Sequence, residues 1–492
     1  MDPEEFRQMG YRAVDMAVEH FASITSRPVF VPMAPAEREA LLSLRLTEDG
    51  ASADEILGFV KQAIFSHPMG NGHPCFFGWV NSPPAMVAVI AEFLAAALNP
   101  SCAGGDHAAI YLERSVVRWI MEILDWPTAG SMGLLVSGGS MASLTCLAAA
   151  RHWAAKQNGW DVRQDGLQDG AKRLVMYISS EGHSCLRKAA ELLGLGERAV
   201  RSIPVDSHFH FDLRQLREAI DRDRGEGLIP FCVVGNAGTV NSGAIDPLEE
   251  LAELCAHEDL WFHIDGAYGG VAVVDPEVAG RYRGMNRAQS LAVDPHKWLS
   301  VPVECGCALV RDGALLRDAF SLVPSYLRTE EGKGFGGLPW YSEYGFQQSR
   351  GFRALKLWAT LTHLGRSGLR ELVANHNRLA RLLASQIDAA AELERLAPVE
   401  LSIVCFRYVP DGGHWAAEEL NALNKRIMET VQSEGEAFLS GTVLHGKFAL
   451  RACVLHYGTN VRDVEALVET VLRTGRRLAA ESISSKTAGS PS

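Results

Sequence analysis

Gly133-Leu134-Leu135-Val136-Ser137-Gly138-Gly139-Ser140-Met141-Ala142 is the stretch that decides the fold. An apolar run of strand type enters a Ser-Gly-Gly-Ser turn and leaves as an apolar helix through Leu144 and Leu147. Strand, tight polar turn and helix in succession form the unit of a parallel α/β sheet, and the free backbone N–H groups at such a helix start make an anion cradle. The pattern recurs outward. Leu174 to Ile178 reads as a strand leading through Ser179 to His183 into a helix from Cys185 to Leu193. Phe231-Cys232-Val233-Val234 ends at Asn236-Ala237-Gly238-Thr239, and Asp246-Pro247-Leu248-Glu249 predicts an N-cap, first-turn proline and capping box for a helix through Leu254. Trp261 to Ile264, Leu291 to Val293 and Ala308 to Val310 complete the strands. The expected fold class is α/β, a mostly parallel central sheet with helices on both faces, with ligands beyond the carboxyl ends of the strands. Each of the polar clusters just named falls there.

On either side of this block the pattern changes. Phe6, Met9, Ala13, Val14, Ala17, Phe21 and Ile24 recur at helical spacing and predict an amphipathic first helix with no local core to cover, broken by Arg27-Pro28 and by Pro32 to Pro35. Gly332 to Gly337 is glycine-dense and reads as a lid loop before Trp340-Tyr341. A helix from Phe352 to Leu364 follows, then strands Leu401 to Phe406 and Phe448 to Val454, which suit a smaller C-terminal α+β domain. The tail from Ser482 to Ser492 reads as frayed. The expected division is residues 1–85 as an N-terminal helical dimerisation segment, 86–355 as the large domain with a lid near 328–346, and 356–492 as the small domain.

Composition narrows the function. The 492 residues carry a net charge of −12, and no basic run of five occurs, which argues against a nucleic-acid partner. The longest apolar stretch, Ala85 to Leu98, is interrupted by Glu92 and too short to span a bilayer, so no membrane partner is expected. The first residues are acidic where a secretory signal needs basic ones, and the ten scattered cysteines show no paired framework. The reading is a cytoplasmic protein with reduced thiols. Cys305 and Cys307 are alternate residues of a strand and point to opposite faces, so no metal site is expected of them.

The sharpest chemical cluster is Asp294-Pro295-His296-Lys297-Trp298, just past an apolar strand. A lone lysine is ordinarily a surface residue, and a lone Asp after a strand ordinarily a cap. Here a lysine beside a histidine and an aromatic follows His263-Ile264-Asp265-Gly266-Ala267-Tyr268, which puts a carboxylate at a neighbouring strand end. A nucleophilic lysine, a carboxylate and a phosphate-type turn at Ser137 to Ala142 together fit pyridoxal phosphate, which needs an imine-forming amine, an acid against its ring nitrogen and an anion cradle. The turn has neither the Gly-Lys-Ser/Thr of a P-loop nor the Gly-x-Gly-x-x-Gly of dinucleotide folds.

These stretches, with His73-Pro74 to Met86, Glu181-Gly182-His183-Ser184, Gly227 to Pro230 and Arg350 to Trp358, resemble the pyridoxal-phosphate-dependent aromatic-L-amino-acid decarboxylase family over most of the chain. The resemblance implies the aspartate aminotransferase-like fold and an obligate homodimer with active sites at the subunit interface. It implies Lys297 as the Schiff-base lysine, Asp265 as the partner of the ring nitrogen and His183 on the ring face, near the substrate carboxylate. Gly139 and Ser140 match the phosphate turn, Asp294 and His296 lie near the phosphate, and Thr239 and Ala267 flank the ring. The family often carries Asn at the place of Asp294, and usually Glu at that of Met141. Tyr341 matches a loop tyrosine that returns a proton to the substrate carbon, with Tyr344 the competing candidate. Phe76, Phe77 and Trp79 form the expected aromatic wall for the substrate, against the alternative that they are core residues, since consecutive side chains cannot all face one pocket.

The expected activity is decarboxylation of an aromatic L-amino acid (tryptophan, tyrosine, phenylalanine or dihydroxyphenylalanine) to its arylalkylamine. The alternatives are an aromatic aldehyde synthase, in which phenylalanine typically replaces the loop tyrosine, and a decarboxylase of a non-aromatic amino acid. For an acidic substrate the latter would want a basic pocket.

Overall fold

The computed structural model describes residues 1–167, 173–322, 333–411 and 415–488. They form two compact units: Pro84–Arg378 with Ala397–Ile403, and Met1–Pro83 with Leu379–Leu396 and Val404–Ser492.

The first of these is built on a seven-stranded sheet of β1 (Met132–Val136), β2 (Leu174–Ser179), β3 (Val200–Ile203), β4 (Ile229–Asn236), β5 (Trp261–Asp265), β6 (Ser290–Val293) and β7 (Gly306–Val310). The spatial order is β1-β7-β6-β5-β4-β2-β3. Strands β6, β5, β4, β2 and β3 are mutually parallel, and β7 is antiparallel to both of its neighbours, β1 and β6. Hence β7 alone runs against the rest, and the carboxyl ends of β1, β2, β4, β5 and β6 share one edge. Every residue of β1, β2, β5, β6 and β7 is buried, as expected for a sheet covered on both faces.

The second unit carries a four-stranded sheet of β8 (Leu393–Arg395), β9 (Ile403–Tyr408), β10 (Ser440–Leu444) and β11 (Lys447–Cys453), in the order β10-β11-β9-β8. The predicted first helix forms over Pro3–Ser23, opened by an Asp2–Glu5 capping box, and none of its residues is buried. The predicted helix after Phe352 runs from Arg353 to Ala389, with Gly365 (φ +62°) breaking the helical path. The tail departs from expectation: the last helix, Val461–Ala488, continues well past Ser482, and only residues 489–492 lie outside the described residues. All ten cysteines are free thiols. No helix among the described residues is long and apolar enough to cross a membrane.

Candidate active site

The turn after β1 is shaped by close backbone approach. A Cβ on Gly306 would stand 2.5 Å from Gly138 Cα, and one on Gly139 would stand 2.8 Å from Asp294 Oδ2 and 2.9 Å from the Ala267 Cβ. Only glycine brings β7, Asp294 and Ala267 this near the turn. Gly138 is the N-cap of the helix Gly139–Gln157 and offers no side chain to the helix start. The first-turn N–H groups of a nineteen-residue helix therefore face outward, with Ser140 exposed beside them. This cradle of backbone donors, which a Cβ would fill, suits a phosphate.

The next strand ends bring the titratable groups to the same edge. Asp294 directly follows β6, and its Oδ2 pairs with Lys297 Nζ at 3.0 Å and lies 3.8 Å from His296 Nε2. His296 is held by the backbone of Cys305, whose carbonyl oxygen is 2.8 Å from Nδ1. Asp265 closes β5, is 8% exposed, and accepts the Ala267 N–H on Oδ1 at 3.1 Å. Its neighbour in register is Asn236, the last residue of β4, and Ala237 N–H donates to the Asp265 carbonyl at 2.9 Å. Thr239 is buried in the following turn, its hydroxyl 3.0 Å from Ser242 Oγ and its N–H donating to Ala244 O at 2.8 Å.

His183, in the turn after β2, comes within the electrostatic reach of Asp265, Lys297 and Asp294. Burial lowers its pKa, more than the two carboxylates raise it. Its Nδ1 accepts the Cys185 N–H at 3.2 Å, which leaves the proton of the neutral ring on Nε2. Cys185 belongs to this neighbourhood too: burial, with Asp265 close by, pushes its thiol up to about 12, and it bonds to Ser140. Lys297, Asp265, His183, Gly139, Ala267, Asp294 and His296 are thus brought together at one edge of the sheet.

Behind Asp265 stands a residue whose role the sequence disguised. Asp246 was expected to cap the next helix, yet that helix, Leu248–His257, has Pro247 as its N-cap and no side-chain cap bond. The Asp246 carboxylate instead accepts Asn236 N–H and Nδ2–H, both at 2.7 Å, and Phe211 N–H at 2.9 Å. Burial raises its pKa to about 6 against the pull of those donors. The Asp-Pro pair is a good cap signal, and the long-range partner Phe211 leaves no trace in local pattern.

Both expected loop tyrosines are buried. Tyr341 is fully buried, the guanidinium groups of Arg114 and Arg350 lie over its ring at 4.8 and 4.6 Å, and its hydroxyl has no hydrogen-bond partner among the described residues. Burial pushes its phenol pKa well up. Tyr344 lies in the same apolar cluster and 5.5 Å from Arg114. Neither side chain is carried on an exposed loop. Of the expected lid, residues 328–332 lie outside the described residues. Residues 333–337 rest on the segment 104–107: Phe335 stacks on His107 at 6.0 Å and accepts the Asp106 N–H through its carbonyl at 3.2 Å.

The three residues of the expected aromatic wall differ in exposure. Phe76 and Phe77, in the other unit, are core residues, 2% and 0% exposed. Phe76 stacks on Phe438 at 4.8 Å, and Phe77 exchanges backbone hydrogen bonds with Phe438 and Cys453. Trp79 alone of the three presents a half-exposed ring, 50% accessible, from a left-handed backbone (φ +48°).

Residues 35–409 match the family model described as the pyridoxal-dependent decarboxylase conserved domain. Among curated proteins the chain is 33% identical over 480 residues to an aromatic-L-amino-acid decarboxylase of Bacillus atrophaeus, covering 96% of this chain and 97% of that one. It is 30% identical to a phenylacetaldehyde synthase of Arabidopsis thaliana, covering 92% of each. Among solved structures, Oryza sativa TDC with PLP and tryptamine superposes with a TM-score of 0.90 at 26% identity, over 97% of this chain and 99% of that one.

Proposed function

This chain belongs to the pyridoxal-dependent decarboxylase family, and on that premise we propose that it decarboxylates an aromatic L-amino acid to the corresponding arylalkylamine and carbon dioxide. The observation that carries the reading is the meeting of Lys297, Asp265 and His183 with the open helix start at Gly139, each supplied by a different strand end. In this reading Lys297 is the covalent anchor of PLP, Asp265 faces the ring nitrogen, the turn 138–140 takes the phosphate, and Thr239 and Ala267 flank the ring. When bound, PLP supplies the electron sink for the bond that breaks at the substrate Cα.

The chain's own groups divide the remaining work. Asp265, fixed by Ala267 N–H, keeps a negative charge where positive charge must persist. His183, neutral and donating through Nε2, orients a carboxylate without fixing it by full charge. A carboxylate held in a poorly hydrated place leaves more readily as neutral carbon dioxide. The aromatic side chain is supported by the Bacillus relative's name. Product amines from tryptophan, tyrosine, phenylalanine and dihydroxyphenylalanine test the assignment, and absence of amine from all four rejects it. A second reading, an aldehyde synthase, is favoured by the Arabidopsis relative, and hydrogen peroxide among the products would identify it.

The same reading includes a cytoplasmic homodimer. The helix Met86–Leu98 exposes Met86, Ile90, Phe93, Leu94 and Leu98 by half or more, one apolar face that a second copy would cover. Light scattering at assay concentration checks this, and a monomer at full activity rejects it.

A further inference from the structure

The Asp294 carboxylate lies against the turn assigned to the phosphate. Its Oδ2 is 2.8 Å from the Cβ position of Gly139, and its Oδ1 is 3.9 Å from that of Gly138. The residue is 3% exposed. Oδ2 pairs with Lys297 Nζ at 3.0 Å, while Oδ1 is buried without a hydrogen-bond partner among the described residues, taking none of the helix-start N–H groups beside it. A buried, half-satisfied carboxylate is costly unless a cation stands next to it, and Lys297 is that cation. The same amine is the one the cofactor must take, and a phosphate entering the turn meets this second negative charge across a poorly screened gap. Backbone donors attract the phosphate and Asp294 opposes it.

We propose that Asp294 is a fixed counter-charge that steadies the Lys297 ammonium and, by repelling the phosphate, holds the affinity of this chain for its cofactor below what the turn alone would give. The proposal rests on the assignment of Lys297 and the turn 138–140 made above. Its signature is selectivity: relieving the repulsion must help a cofactor that has the phosphate and not one that lacks it.

The test titrates full-length apoprotein, parent and Asp294→Asn, with PLP and separately with pyridoxal, which has the same ring and aldehyde but no phosphate. The readout is the absorbance of the lysine adduct. Asp294→Asn is expected to lower the PLP Kd by about tenfold and the pyridoxal Kd by about twofold or less. A PLP Kd that is unchanged or raised overturns the proposal. So does an equal gain for pyridoxal, which would place the whole effect on the lysine. Thermal unfolding of the apoproteins checks that the variant folds, and Asp294→Ser, read by the same criteria, stands in if it does not. If the parent forms no adduct and borohydride fixes no cofactor on Lys297, the underlying site assignment has failed, a result distinct from an adduct that forms in both proteins without the selective gain.

Discussion

The Glu113 carboxylate and the Arg350 guanidinium meet in an ion pair whose side chains are 0% and 1% exposed. Arg350 also donates to the carbonyls of Cys102 and Leu135, each at 2.7 Å, and Glu113 accepts the Leu135 N–H at 3.0 Å. The pair therefore grips β1 two residues before the phosphate-type turn. Removing one partner of such a pair strands the other's charge in the core, at about 3–5 kcal/mol. Glu113→Gln is expected to lose an amount of that order in urea unfolding. A loss below about 1 kcal/mol, the scale of an exposed pair, would show that the site is hydrated.

Lys297→Ala is expected to remain folded, to bind no cofactor covalently and to make no amine. Borohydride reduction of the parent should fix cofactor on the peptide containing Lys297 and nowhere else. Amine production near the parent rate would remove Lys297 from the chemistry.

Asp265→Asn separates holding from catalysis. The substitution keeps the shape at the end of β5 and deletes the charge, so cofactor should be retained while turnover falls by roughly a hundredfold or more, the scale seen when one electrostatic partner of a transition state is removed. Turnover at the parent rate with cofactor bound would sink this role.

Acid should destabilise the protein, and the sign follows from its buried histidines. Burial lowers His263 and His456 to about 4 each, below the ordinary value near 6.5. The unfolded chain then binds more protons than the folded one between those values, so stability is full above about pH 6.5 and is lost as pH falls towards 4. Asp246 opposes this: raised to about 6, it gains protons in the folded state as pH falls, and so offsets one histidine between pH 6 and its unfolded value. His263→Phe should therefore remove about 2 kcal/mol of the stability difference between pH 7 and pH 5. An unchanged slope would mean that His263 titrates alike in the folded and unfolded chain.

The sheet and its site were legible because both depend on local pattern. Strand, polar turn and helix repeat along the chain, so Lys297, Asp265 and His183 could be placed at strand ends without knowing which strands touch. What the local pattern does not show rests on distant contacts. Asp246 carries every local mark of a helix cap, but Phe211 and Asn236 claim it first. Local pattern leaves Phe76 and Phe77 as wall or core, and the contacts that bury them come from Phe438 and Cys453, far along the chain. Tyr341 was matched to a loop donor by resemblance alone, and no local pattern shows that Arg114 and Arg350 lie over its ring.

The burial of Tyr341 bears on the proton donor. After its carboxylate leaves, the substrate carbon must take a proton. If it does not, oxygen competes for the electrons, and the amino acid with O2 and water yields aldehyde, carbon dioxide, ammonia and hydrogen peroxide. Three tyrosines lie between Phe320 and Arg350: Tyr326, Tyr341 and Tyr344. Tyr341 and Tyr344 belong to the apolar cluster, and Tyr326 lies outside the described residues. Tyr341→Phe removes a buried hydroxyl that has no hydrogen-bond partner among the described residues, so it should cost little or no stability, and any loss of amine reports on chemistry. Tyr344→Phe, the competing candidate, and Tyr326→Phe are assayed beside it, and the variant that diverts product from amine to aldehyde and peroxide identifies the donor. The measurement quantifies amine and peroxide together, under air, for the parent and all three variants. Diversion by Tyr341→Phe alone would identify Tyr341 as the donor and mean that its enclosure opens during turnover. A parent that itself makes mainly peroxide would transfer this chain from the decarboxylases to the aldehyde synthases.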